Sequence, residues 1–184
     1  MERCDWAANS DVLNKDYHDL EWGTPVHDDT KLFEFLVLEG AQAGLSWSTI
    51  LKKREGYRKA FDGFDCKKII LYDEKKLQDL MLNPDIVRNR LKILSVKRNA
   101  EVFIDIQKEF GTFDKYIWNF SGGKPIVNHF TLLKEIPAKT DLSDKISADL
   151  KRRGMNFVGS TIIYAFMQAV GIVDDHQEKC FRKR

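Results

Sequence analysis

The 184-residue chain has only four prolines and three cysteines. Few prolines leave long stretches free to coil without interruption. An odd, small number of thiols excludes a complete disulfide framework, and in a reducing compartment thiols are more often free or metal-bound than bridged. No run alternates apolar and polar residues between turn signals, which argues against a sheet protein. No window approaches the ~20 apolar residues that a bilayer-spanning helix requires, so no membrane partner is expected. The N-terminus lacks a basic stretch leading into an apolar one, so no secretory signal is visible and a cytoplasmic location is expected. The chain also lacks the strongly basic balance of dedicated nucleic-acid binders: its formal net charge is +2, and any contact with a polyanion must come from a local patch.

What is present is helical periodicity. Asp28-Asp29-Thr30 supplies capping residues ahead of Lys31–Leu38, a stretch apolar on nearly every face and therefore expected inside the protein as the central helix. Further helices are expected over Ser46–Phe61, Asp73–Leu82, Arg90–Phe110, Leu142–Arg153 and Ser160–Val170, with Gly154 and Gly171 near C-terminal ends. Ser121–Pro125 is the clearest loop. The expected fold class is all-α, in one domain spanning 1–184.

Four residues near the two termini form a metal-ligand set. His176 and Cys180 are four apart, so on a helical turn they would face the same way, and Cys4 with His18 completes a Cys2His2 set suited to tetrahedral zinc with no vacant position. A site of that kind is structural. The other reading is that these are scattered terminal residues, since their spacing matches no standard zinc finger. A bound ion would bring residues 1–27 and 171–184 together.

Glu39 follows Leu32, Phe35 and Leu36 at seven, four and three residues, which puts a carboxylate on an apolar helix face. It either turns to water at a helix end or belongs to a site, because a buried carboxylate needs a partner. Trp6, Tyr17 and Trp22 cluster near two of the proposed metal ligands, and Trp47 lies just beyond Glu39. Any one of these rings is ordinary core; several with one carboxylate suit a flat, electron-poor base. The segment Ile86–Ala100 carries five basic residues and no acidic one, among them Arg88, Arg90 and Lys92. Following Asn83-Pro84-Asp85, it is either a helix-hairpin-helix presenting N–H groups to a DNA phosphate or an amphipathic helix with a solvated basic face.

Several long motifs in order resemble the constitutive 3-methyladenine DNA glycosylase I family, a branch of the helix-hairpin-helix glycosylases: Met1–Cys4, Tyr17–Gly23, Leu38–Trp47, and Phe157–Thr161 leading to His176 and Cys180. The resemblance covers essentially the whole chain. It implies one structural Zn2+ held by Cys4, His18, His176 and Cys180, with Glu39 and Tyr17 contacting a flipped base. It also implies Trp47 stacked on that base with Trp6 and Trp22 nearby, and Gly44 and Leu45 at the DNA-facing rim. The implied activity is hydrolytic excision of 3-methyladenine from double-stranded alkylated DNA, leaving an abasic site, by a monomer. Asp85 and Leu91 stand where hairpin turns commonly carry glycine. The competing class is a noncatalytic zinc-stabilised DNA-binding protein; a zinc base deaminase would need His-x-Glu and Pro-Cys-x-x-Cys patterns that do not occur.

Overall fold

Eight of the ten helices begin at an Asp, Asn, Ser or Thr whose side chain accepts a backbone N–H of the first turn. Each such cap contributes ~1 kcal/mol and fixes where the helix starts. The computed structural model describes all 184 residues. In chain order the helices are α1 (Asp5–Ala8), α2 (Val12–Leu20), α3 (Asp29–Gln42), α4 (Trp47–Ala60), α5 (Cys66–Ile69), α6 (Glu74–Leu82), α7 (Arg90–Phe110), α8 (Phe113–Asn119), α9 (Asp141–Arg153) and α10 (Ser160–Ala169). A two-residue parallel pair, β1 (Ile126–Val127) and β2 (Val173–Asp174), is the only sheet. The all-α expectation holds; five of the expected helices fall within a residue of those observed, and the central one, expected over Lys31–Leu38, extends to Asp29–Gln42.

Helix α3 is the axis of the protein. Every residue from Leu32 to Ala41 is buried, and α4, α7, α8 and α10 pack around it. One face of α3 therefore carries a charge inward: Glu34 is buried and accepts from Arg54 Nε at 2.6 Å. The same guanidinium binds Glu21 bidentately at 2.8 and 2.8 Å and sits 5.1 Å from the Phe35 ring centroid. A buried arginine with two carboxylate partners is tolerated only because all its charge is matched. Here it locks the C-terminal end of α2 to α3 and α4.

After α10 the chain turns back to the N-terminal segment. Gly171 has φ of +72°, and a Cβ there would lie 2.5 Å from the Thr24 carbonyl carbon, so only glycine allows this turn against Thr24-Pro25. Val26 N–H then donates to Val170 O at 3.0 Å, and Phe181 N–H to Glu2 O at 2.9 Å. Arg182 bonds the Thr24 hydroxyl and Arg184 the Gly23 carbonyl. The two termini meet through these bonds.

The structure corrects two sequence-based expectations. His176 and Cys180 are not on a helical turn: the chain beyond β2 is irregular, and Cys180 N–H donates to Gln177 O at 2.8 Å. Helices α1, α2, α5 and α8 went unanticipated, being short or flanked by polar residues. In the basic segment, two polar side chains are engaged within the protein. The Asn89 side chain already accepts from Lys92 N–H at 3.1 Å, and the Lys92 ammonium donates to the Ala41 and Ala43 carbonyls at 2.8 and 2.6 Å. Lys92 thus caps the end of α3 with its ammonium. The tightly packed helix pair lies later, at α9 and α10, joined by the turn at 154–159. That turn is pinned to α7 by Asn99, which donates to Asn156 O at 2.9 Å and accepts from Asn156 N–H at 2.8 Å.

Candidate active site

A pocket of about 260 Å³ opens beside the C-terminal end of α3. It falls just below the usual range for ligand pockets, about 300–1,000 Å³, a size for one flat ring system. Its aromatic lining comes from Trp6 on α1, Tyr17 on α2, Trp22 just beyond α2, and Trp47 at the start of α4. The rings brace one another: Trp6 and Trp22 meet edge to face at 5.2 Å, and Tyr17 and Trp47 lie 5.2 Å apart, tilted by 49°. Trp6 and Trp47 remain half-buried, so part of each ring faces the pocket. The Trp47 indole N–H is buried without a protein partner.

Glu39 and Gln42 form the polar floor. Glu39 is 4% exposed. Burial alone, with no hydrogen bond offsetting it, pushes its carboxyl from the usual range up to about 8. Tyr17 is raised well above its ordinary value, first by burial and then by the nearby charges of Glu39 and Glu21, so it keeps its hydroxyl proton. The pair offers one acid near neutrality and one phenol that keeps its proton, both facing the cleft.

Four more residues complete the wall and were not anticipated: Leu133, Ile136, Ala165 and Gln168. Ala165 and Gln168 lie on α10, whose apolar periodicity reads as core. Leu133 and Ile136 come from an irregular segment around a single 3-10 turn, where no periodicity signals a role. Gln168 is held by its side-chain bond to Asp175 at 2.8 Å.

Gly44 and Leu45 stand exposed just past α3, beside the pocket's Gln42 and Trp47. Gly44 has φ of +76°, and nothing lies within 4 Å of where its Cβ would be. Arg88 and Arg90 are exposed at the approach to α7, and neither is tied into an ion pair. The N-terminus of α10 is also open, since its cap is Gly159, which has no side chain to offer.

A second cluster lies behind the aromatic wall. Cys4, His18 and Cys180 are all buried, with donor atoms within 4.8 Å of one another. His18 Nε2 is 3.4 Å from Cys180 Sγ. Backbone N–H groups of Gln177 and Arg182 point at the two sulfurs, each at 3.4 Å. His176 is adjacent, its ring centroid 5.2 Å from that of His18, although its nitrogens lie outside that three-residue cluster. Its Nε2 is buried with no partner, while its Nδ1 is bound to Asp174 at 2.7 Å, as His18 Nδ1 is bound to Asp19 at 2.8 Å. A carboxylate behind each imidazole, two thiols and an orphaned nitrogen make a donor set that fits a tetrahedral, thiophilic cation. Gly23 is required here: a Cβ would lie 2.6 Å from His176 Cε1.

A family model described as methyladenine glycosylase matches residues 6–183. The DNA-3-methyladenine glycosylase of Haemophilus influenzae is 46% identical over 178 residues, covering 97% of this chain and 96% of the relative. A crystal structure of a 3-methyladenine DNA glycosylase I superposes with a TM-score of 0.96 at 44% identity, covering both chains fully. The Staphylococcus aureus 3-methyladenine DNA glycosylase I, solved to explain its recognition of 3-methyladenine, gives a TM-score of 0.95 at 34% identity, covering 100% of this chain and 97% of that one.

The raised Glu39 value has a direct thermodynamic consequence. The folded protein holds this proton up to about pH 8, while the unfolded chain sheds it near ~4.3. Glu39 therefore contributes stability that is fully present below the unfolded value and is lost as pH rises through the folded one. Between pH 5 and 9 the melting temperature of wild type should fall relative to Glu39→Gln, which keeps a neutral group at every pH. Scanning calorimetry across that window checks this; parallel profiles for the two proteins would contradict it.

Proposed function

The chain belongs to the methyladenine glycosylase family, and we propose that its pocket receives 3-methyladenine flipped out of double-stranded DNA for hydrolytic excision. It is a DNA-repair glycosylase that breaks the N-glycosidic bond and leaves an abasic site. The observation that carries this reading is Glu39, a buried carboxyl without a protein partner among four aromatic residues. A noncatalytic DNA-binding protein has no use for such a group, whose burial costs stability.

An alkylated adenine is cationic in DNA, pairs weakly and leaves easily, so flipping it costs less than extracting a normal base. Ring faces of Trp47 and its neighbours attract that positive charge, and Glu39 both compensates it and accepts hydrogen bonds from the base. Tyr17, which keeps its proton, orients the base beside Glu39. Water attacks the sugar carbon and gives up one proton to the surrounding solvent as the new C–O bond forms; the glycosidic electron pair leaves with the purine, whose positive charge it neutralises. No lysine Schiff base is needed, so the strand itself stays intact.

On the DNA side, Leu45 on the unobstructed Gly44 turn fills the gap left by the extruded nucleotide, and Arg88 and Arg90 neutralise phosphates. The helix-hairpin-helix element is assigned to α9 and α10, where the open N-terminus of α10 offers N–H groups and a positive dipole end to a phosphate. Cys4, His18, His176 and Cys180 hold one structural Zn2+, which when bound supplies only a cross-link between the chain ends. The protein works as a cytoplasmic monomer. No helix is long and apolar enough to cross a membrane.

Two experiments test this reading. Incubated with methylated duplex DNA, the wild type should release 3-methyladenine and leave strands that break only on alkaline treatment, as read by chromatography and gel; absence of base release would overturn the assignment. Metal analysis should find one zinc per chain. Its removal should lower the melting temperature and speed amide exchange in residues 1–27 and 171–184, by an effect comparable to opening a long cross-linked loop, ~5 kcal/mol on the chain-entropy model. A metal-free protein with the same exchange pattern would contradict the zinc assignment.

A further inference from the structure

The stretch from Asn128 to Lys139, between β1 and α9, contains no regular element beyond the 3-10 turn Leu133–Glu135, yet it is firmly fastened. Asn128 N–H donates to Asp174 O at 3.0 Å and Glu178 N–H to Phe130 O at 2.9 Å. The Gln177 amide, fully buried, donates to Thr131 O at 2.8 Å. Within the segment, the Glu135 carboxylate gathers the Thr131 and Leu132 N–H groups at 2.8 and 2.9 Å. This strap is therefore held in one shape before any ligand arrives.

What it holds in place are two aliphatic side chains in the mouth of the pocket. Leu133 is 44% exposed and Ile136 is half-buried against the core, and both line the cleft that contains Glu39 and Trp47. A leucine held rigidly yet left wet inside a pocket gains its hydrophobic stabilisation only when something apolar covers it. Neither side chain can hydrogen-bond, so their contribution to recognition is shape alone. The polar edge of a base is read elsewhere, at Glu39 and Tyr17.

We propose that Leu133 and Ile136 are specificity-determining residues that contact the flipped base and set the size of N3 substituent the pocket accepts. This rests on the 3-methyladenine reading above and deepens it. A pocket that excludes one extra methylene discriminates by ~10–200-fold. The strap thus acts as the size gauge, and the carboxyl and aromatic residues as the charge gauge.

The test compares wild type, Leu133→Ala, Ile136→Ala and the double variant on duplex DNA bearing N3-methyladenine or N3-ethyladenine. The double variant should raise the ethyl-to-methyl ratio of kcat/KM by roughly tenfold. Conservative Ile136→Val should keep the wild-type ratio. Free 3-methyladenine, titrated without DNA by tryptophan fluorescence, should bind each alanine variant about three- to tenfold more weakly, while affinity for undamaged duplex stays unchanged. An unchanged ethyl-to-methyl ratio in variants with wild-type melting temperature overturns the inference, as does a loss confined to duplex affinity, which would make the strap a DNA contact. A wild type that releases no 3-methyladenine would instead sink the glycosylase reading, and the free-base titration still judges the wall separately.

Discussion

Burying the Glu39 carboxyl without a hydrogen-bond partner costs free energy that nothing inside the protein returns, and the architecture around it is arranged so that it cannot escape. Glu39 sits on the last full turn of α3, a helix buried from Leu32 to Ala41, so the backbone cannot swing the side chain out to water. Tyr17 and Trp47 close one approach and the strap around Leu133 another. The result is a group whose proton is balanced near neutral pH by burial alone. Such a group responds strongly to a cation and weakly to a neutral purine of the same shape, which is the discrimination that excision of an alkylated base demands.

That cost is tolerated because the frame is rigid on three sides. Arg54 clamps α2, α3 and α4 through two carboxylates, which fixes Tyr17 and Trp22 relative to Glu39. Lys92 caps the carbonyls at the end of α3, where the chain leaves for the exposed Gly44-Leu45 rim. The returning C-terminal segment binds both the strap, through Gln177 and Glu178, and the backbone N–H of Asp5 beside Trp6, through Gln177 at 2.6 Å. Two walls of the pocket thus hang from residues adjacent to the Cys4, His18 and Cys180 cluster. In the zinc reading, the metal tightens the pocket from behind without touching the base.

The long helices were legible in the sequence because their signals are local: Asp28, Ser46, Asp73 and Asn89 announce their own helix starts, and periodicity supplies the rest. The aromatic and carboxylate part of the pocket was legible too, since three of the four tryptophans and Tyr17 fall in the stretch from Trp6 to Trp47 and Glu39 stands on an apolar helix face. Leu133 and Ile136 carried no such signal, because an aliphatic residue in an aperiodic segment looks the same whether it faces solvent, core or ligand; only tertiary bonds from Gln177 and Glu178 decide. The basic segment Ile86–Ala100 was less legible, because a run of positive charge looks the same on a DNA-facing hairpin and on a solvated helix face. The open turn between α9 and α10 announces itself through Gly154 and Gly159, the absence of a capping side chain, rather than through charge.

The most direct measurement is the ionisation of Glu39 itself, followed by NMR of a 13C-labelled carboxyl in the free protein and with a permanently cationic N3,N9-dialkylated adenine bound. The account requires a midpoint near 8 in the free protein, moving to lower pH when a base with cationic character occupies the pocket. An ordinary carboxylate midpoint, indifferent to the base, would contradict it.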